Sequence, residues 1–278
     1  MSAVLDQLVS GVRSNSPDAS VLLGLRPKVF EDARDAENAR RLVAEWTGSR
    51  ESQGMYLYLI GNYERALLVL EQEAKSDAAK LFLGLAAIEV NQPQKALEAL
   101  KGLKGIEANI ARSRAAIQLC NWDEADKQIT ALEKSDGANP EVLALRVEYL
   151  LRNGQPEKAM DAVDAALEKN PRNQRLLFVG ALVADRVGDE DQAIDRYEAL
   201  AQGRPAPVDA LMNLGVLYED KGDFQAAIHC YESVLREYPT HDRARLYMKD
   251  AGASVDMYYD EDRERKEDKR MQVLRTPV

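Results

Sequence analysis

Glycine, alanine and proline return along this chain at one fixed interval. Gly154, Gly188 and Gly222 stand 34 residues apart, as do Pro171, Pro205 and Pro239, and Ala125, Ala159, Ala193 and Ala227 keep the same step. Tyr197 and Tyr231 are separated by it too. A period of about 34 residues is the mark of stacked helix–turn–helix units. Each unit is too small to bury its own apolar face and must lean on its neighbours. The period therefore predicts an all-α chain and sets aside sheets, sandwiches and barrels. It also lifts the usual ceiling on domain size, because such an array lengthens by adding units rather than by enlarging one core.

The clearest unit is Val208–His241. Leu211, Leu214, Gly215 and Tyr218 fall on one helical face, and after a break at Gly222–Asp223 a second face carries Phe224, Ala227, Tyr231 and Val234. Pro239 stops the second helix. Small residues at Gly215 and Ala227 let the two helices approach, and Gly222 suits the turn because it takes positive φ without penalty. This unit resembles the tetratricopeptide repeat family, whose pattern runs W-x2-L-G-x2-Y, then A-x3-F, then A and P. Leu211 stands where the family has tryptophan and Val234 where it has the later alanine; Leu214-Gly215, Tyr218, Ala227, Tyr231 and Pro239 follow the pattern.

Upstream units keep the phase. Gln174–Pro207 carries Leu177, Ala181, Gly188, Ala193, Tyr197 and Pro205, and Pro140–Asn173 carries Leu143, Val147, Gly154, Ala159, Ala166 and Pro171. Ile106–Asn139 keeps Trp122 and Ala125, but Asn109 and Ser113 match poorly. Earlier still the step shortens: Ala66 to Ala96 is 30 residues and Ala96 to Ala125 is 29. Asp77–Gly105 retains Leu83-Gly84 and Ala96, and Thr47–Ser76 retains Gly54, Gly61-Asn62-Tyr63 and Ala66. The shortening is expected to remove a turn from the second helix or its loop. The resemblance covers residues 47–241 and implies a right-handed superhelical solenoid of about six helical pairs.

The flanks are less regular. In residues 1–46 the pattern predicts a helix over Ala3–Val12 and a loop over Ser14–Ser20. A second helix is predicted over Asp32–Trp46, with Ala33, Ala36, Ala39, Leu42, Val43 and Trp46 inward. This segment is either an end cap or a degenerate first repeat. Residues 242–278 are expected to begin with a capping helix over Asp242–Asp250. They continue as a solvated helix with i,i+4 pairs at Glu261–Arg265 and Asp262–Lys266 and end in a Thr276-Pro277 linker. That last stretch resembles the lead-in to the C-terminal helical domain of the bacterial RNA polymerase alpha subunit. The resemblance spans only the final residues and implies a transcription-related parent chain with a link to polymerase or transcription factors.

Charge and motif content narrow the function. The net charge of −10 argues against direct nucleic-acid binding by the repeats, which needs a basic surface to displace counterions. The longest apolar run, Leu176–Ala184, is far short of the roughly 20 residues that span a bilayer. The first residues carry no basic start and place Asp6 inside the apolar stretch, unlike a signal peptide. A soluble cytoplasmic protein is the expectation. Cys120 and Cys230 form no CxxC pair and read as two buried small hydrophobes in a reducing compartment. His229 and His241 are the only histidines, short of the roughly four ligands a zinc site needs. Asp256, Asp260, Glu261 and Asp262 lack the glycine and closing glutamate of a calcium loop. No phosphate loop, nucleophile elbow or HExxH is present. No catalytic, cofactor or metal residue is expected.

The resemblance implies instead a protein or peptide partner, held in a concave groove lined by the first helix of each pair. Carried onto this chain, the groove positions are Leu81, Leu85, Arg114, Glu148, Phe178, Leu182, Asp185, Arg186, Met212, Val216 and Glu219. Phe178 and Arg186 are the anchor candidates, since aromatic and arginine side chains dominate most interfaces. The more apolar members have packing against neighbouring helices as their alternative role. A subset of the family clamps a C-terminal carboxylate with basic residues and asparagines on these helices. Here only Asn213 sits at such a position, so that mode is not expected.

Overall fold

The structure is a computed structural model that describes residues 2–14, 16–30, 33–203, 206–239 and 241–255; the charged tail beyond 255, with its pairs and its resemblance, lies outside the described residues. Every regular element among the described residues is helical. Three helices come first: α1 (Ala3–Arg13), α2 (Ala19–Phe30) and α3 (Ala33–Arg41). Six repeats follow in chain order. They supply α4 (Arg50–Leu59) and α5 (Tyr63–Glu73), α6 (Asp77–Glu89) and α7 (Pro93–Ala99), and α8 (Ile106–Gln118) and α9 (Trp122–Asp136). The later three supply α10 (Pro140–Arg152) and α11 (Pro156–Lys169), α12 (Gln174–Val187) and α13 (Glu190–Ala201), and α14 (Val208–Asp220) and α15 (Phe224–Glu237). Residues 242–255 form α16. Two compact units divide between Val187 and Gly188.

The turn inside five of the repeats has one chemistry. Three residues link the paired helices, and the middle one takes positive φ: Gly61 (85°), Asn91 (57°), Cys120 (54°), Gly154 (73°) and Gly222 (77°). The N–H of the third residue closes a 6→1 bond onto the first helix, as in Asn62 N–H to Leu57 O (2.9 Å), Gln155 N–H to Leu150 O (2.9 Å) and Asp223 N–H to Tyr218 O (2.8 Å). That third residue then starts the next helix. Asn62, Asn121 and Asp223 cap it with a side-chain oxygen, whereas Gln92 and Gln155 hand over to Pro93 and Pro156 at its first turn. Asn91 tolerates the left-handed region; Cys120 has no such excuse and costs about 1 kcal/mol there.

Packing within a repeat follows a second spacing, 16 residues between a first-helix position and its second-helix partner. A Cβ placed on Gly54 would meet Leu70 Cγ at 2.6 Å, one on Gly84 would meet Leu100 Cγ at 2.5 Å, and one on Gly215 would run into the Tyr231 ring. In two repeats the first helix offers a larger residue and the partner position is β-branched: Ser113 with Ile129, and Val147 with Val163, all buried. Ser113, a poor match to the family pattern, is accommodated because its hydroxyl donates to Asn109 O at 3.0 Å. The tight fit of one side chain into the space left by another is what close-packed interiors require.

The shortened steps lose residues from the second helix. α7 has 7 residues and α5 has 11, against 15 in α9 and 14 in α11. At the front, α1 forms as the pattern predicts, with Leu5, Leu8, Val9 and Val12 buried. The expected loop over 14–20 is shorter, because the Asp18 carboxylate accepts from Val21 N–H (3.2 Å) and starts α2. Gly24 and Pro27 hide that helix from a sequence reading, and it forms because Leu22, Leu25 and Val29 bury into the same core as α1. α3 stops at Arg41 rather than running to Trp46, yet Trp46 still packs inward, stacked on Tyr56 at 4.5 Å. In the second compact unit, α16 covers the end of α15, with Ala244 and Ala251 buried beside Tyr231 and Val234.

Candidate functional site

First helices α4, α6, α8, α10 and α12 lie side by side in the first compact unit, each touching the next. Their period places like positions of successive repeats on one face. Arg114 and Glu148 occupy one such position, and Glu141 and Arg175 occupy another. Two ion pairs join them between neighbouring repeats. Arg114 donates to Glu141 at 3.3 Å, and Arg175 donates to Glu148 at 2.8 Å. Both pairs span 27 residues, with the polarity reversed between them. Glu148 also faces Arg152 at 3.6 Å. The row continues toward the N-terminus: Gln118 donates to Ile88 O at 3.0 Å, and Arg26 of α2 donates to the Tyr63 hydroxyl at 2.7 Å while lying against the Tyr58 and Tyr63 rings.

These groups share one field. Burial pulls the Arg175 guanidinium below its ordinary pKa, and the neighbouring charge of Arg114 adds to that, with Glu148, Glu141 and Glu89 partly offsetting both. Burial lowers Arg26 as well, but Tyr63, Tyr58 and Glu89 all act against it and the net shift is upward. Tyr58 is pushed up, first by burial and then by Glu89. The face is therefore a set of half-buried charges in mutual contact, not a sheath of independent solvated side chains.

The structure separates the sequence-derived groove residues into distinct groups. Arg114 and Glu148 stand on this face, with 19% and 18% of their side chains exposed. On α12, Phe178 and Leu182 are half-buried, while Asp185 and Arg186 are exposed. Leu81, Leu85 and Met212 belong to the core and offer little surface. In the second compact unit, Val216 is exposed on α14 between the exposed Asp209 and Asp220, and Glu219 accepts the Tyr231 hydroxyl at 2.5 Å. Asn213 is taken up by the Tyr197 hydroxyl at 2.9 Å. The sequence reading missed Glu141, Arg175, Glu89, Gln118 and Arg26. Glu141 and Arg175 were within reach of the same 34-residue step; Arg26 was not, since α2 itself was unexpected.

The two cysteines differ in setting. Cys230 is buried and its thiol is pushed up to about 11 by that burial and by Glu198. Cys120 is exposed, contrary to the expectation of two buried thiols, because it occupies the turn rather than a helix face. Among the described residues no helix is long and apolar enough to cross a membrane, and no three His, Cys, Asp or Glu side chains gather at metal-binding distance.

Comparison with known proteins agrees with the geometry. Sequence profiles of the tetratricopeptide repeat match residues 208–241 and 140–183. Among solved structures, a tetratricopeptide repeat protein of Parabacteroides merdae ATCC 43184 superposes with a TM-score of 0.60 at 12% identity, over 90% of this chain and 99% of that one. A thermophilic tetratricopeptide protein of Thermus thermophilus gives 0.55 at 20% identity, over 63% of this chain and 98% of that one. A chain of the Cut9–Hcn1 hetero-tetramer of the APC/C gives 0.53 at 12% identity, over 89% of this chain and 54% of that one. At these identities the likeness is one of fold.

Proposed function

This chain is a tetratricopeptide-repeat protein, and from that premise we propose that it is a non-enzymatic scaffold for protein–protein interaction. Residues 47–241 are its repeat array, with residues 1–46 and 242–278 as the flanking ends. It holds a peptide or helix along the first-helix face of the first compact unit. The observation that carries this reading is the row of half-buried charges from α8, α10 and α12, paired between repeats. A segment laid across those helices meets one charged pair at each step, which fixes its register as well as its affinity. Phe178 and Arg186, on α12 at the edge of that row, are its anchors. Val216 offers a separate apolar contact on α14 of the second compact unit. The hetero-tetrameric setting of the Cut9–Hcn1 neighbour supports a role in assembly. The same reading places the protein in the cytoplasm, where two unpaired thiols stay reduced.

The test is affinity capture from a native lysate with the full chain as bait, beside the double variant Phe178→Ala, Arg186→Ala. Loss of captured proteins in the variant, at unchanged helical circular dichroism, is the expected result. An unchanged catch would overturn the assignment of this face. RNA polymerase subunits among the proteins lost would bring in the transcription-linked reading, which rests on the tail alone.

A further inference from the structure

We propose that α2 is a built-in ligand of the array: it fills the part of the first-helix face made by α4 and α6 and keeps external segments off it. Once α2 is released, that stretch takes an amphipathic helix of the same chemistry, three apolar anchors and one guanidinium. The inference concerns a different part of the face from the row on α8, α10 and α12, and it stands without the anchors assigned there.

Its basis is one position followed through the repeats. The residue next after the point of close helix approach is Met55, Leu85, Arg114, Glu148, Leu182 and Val216 in the six first helices. The repeat gives all six the same direction on their helices. Arg114, Glu148 and Leu182 are half-buried and Val216 is exposed, yet Met55 and Leu85 are buried. Burial of those two needs a cover that the later repeats lack. α2 supplies it, lying against both α4 and α6, while α1 lies against α4, all within one apolar cluster. α10 and α12 pack instead among helices of the array.

α2 meets this stretch as a helix laid in a groove. Leu22, Leu25, Arg26 and Val29 stand at i, i+3, i+4 and i+7, the spacing by which an apolar groove reads an amphipathic helix. The three apolar members are buried, and Ser20, Val21, Gly24, Pro27 and Lys28 on the other side are exposed. Arg26 is the polar anchor. Its Nη2 donates to the Tyr63 hydroxyl at 2.7 Å, and its guanidinium lies 5.9 Å from the Tyr58 ring centre and 5.8 Å from that of Tyr63. Plain cover needs only apolar surface; a guanidinium held against two aromatic rings and a hydroxyl is a recognition contact. Intrinsic preference does not hold the helix either. Pro27 removes a main-chain donor from its interior, and Gly24, with open space around it, adds backbone freedom and no packing. The face orders α2, as a groove orders a bound segment.

The first test leaves the parent chain intact. Native-state hydrogen exchange of the full chain should show the α2 amides slowed only about a hundredfold relative to an unfolded chain, and those of α4 and α6 slowed far more, as for a unit that opens by itself. Arg26→Ala should cut the α2 protection about tenfold and leave α6 unchanged, since one charge-assisted contact is lost. Exchange of α2 and α6 at one common rate in both proteins overturns the proposal, because α2 is then part of the core. The second test titrates a fluorescent, capped peptide of residues 17–30 into the parent chain and into the full-length variant Leu22→Glu, Leu25→Glu, in which α2 is expelled. The peptide should bind the parent about a hundredfold more weakly than the variant, because occupancy by α2 leaves a small open fraction. Unlabelled peptide should displace it, and the same peptide carrying Arg26→Glu should not. A variant that keeps its helical circular dichroism and does not take up the peptide overturns the groove. Collapse of the variant's helical signal overturns it too, since a ligand leaves without unfolding its site. Capture through Phe178 and Arg186 is unaffected by either result, so the two readings fail separately.

Discussion

Two surfaces of the first compact unit use the same residue types to opposite ends. The seam within and between helix pairs is closed. Gly84 admits Leu100 with no room to spare, and Arg146 satisfies four donors against Asp126, Thr130 and Glu133. The first-helix face is more sparsely bonded: among the described residues Arg114 and Arg175 each make one hydrogen bond and each keep a buried Nε without a hydrogen-bond partner. An arginine with four of its five donors bonded stabilises the fold by its geometry. An under-coordinated, half-buried one has given up hydration and recovered little of it, so it adds little to stability. Coordination number therefore separates Arg146, which ties α10 to α9 through four hydrogen bonds, from Arg114 and Arg175, which join neighbouring first helices through one each, although both kinds look alike in the sequence.

The sharpest way to break the comparison is at the glycine. Gly84→Ala places a methyl against Leu100 and should cost about 2 kcal/mol, read as a lowered urea midpoint, since overpacking a close-packed seam displaces both helices. Adding Leu100→Val should recover part of that loss, as Val147 with Val163 shows a larger first-helix residue facing a β-branched partner. No recovery would mean that the 16-residue pairing is not what sets the helix spacing. Next in size is Arg146→Ala, expected to cost roughly 1.5 kcal/mol by the same measurement. Glu133 and Asp126 lose their partner, but Asp126 is 51% exposed, so solvent makes good part of the loss. The smallest effect belongs to Arg175→Met. Stability should stay within about 0.5 kcal/mol of the parent, because Glu148 keeps Arg152 and an apolar side chain of similar length escapes the desolvation cost. If Arg175→Met destabilises as much as Arg146→Ala, the face is merely a second seam and the distinction collapses.

Much of this architecture was legible from residue spacing. Gly154, Gly188 and Gly222 announced the turns because a residue at ease with positive φ serves best there, and Gly215 announced close helix approach. The shortening upstream of Ala125 was visible as a change of step and falls in α5 and α7 as expected. Other features were not legible. α2 carries Gly24 and Pro27 and forms because α1 gives Leu22, Leu25 and Val29 a surface to bury against, which is tertiary context overriding propensity. Cys120 sits at a left-handed turn position that its identity would argue against. Of the groove positions carried over from the family pattern, Leu81, Leu85 and Met212 proved to be core, because a position in the repeat fixes a direction on the helix and not the depth at which neighbours cover it.

The sequence by itself determined the repeat, its period, its turn chemistry and the all-α stacking, since these depend on local backbone preference and on a recurring apolar face. Only the tertiary structure decided which charges are satisfied and which are left under-coordinated. Arg114, Arg146 and Arg175 are equivalent as letters; what distinguishes them is how many acceptors the neighbouring helices bring within reach. That follows from packing between residues 27 apart for Arg114 and Arg175, and 13 to 20 apart for Arg146.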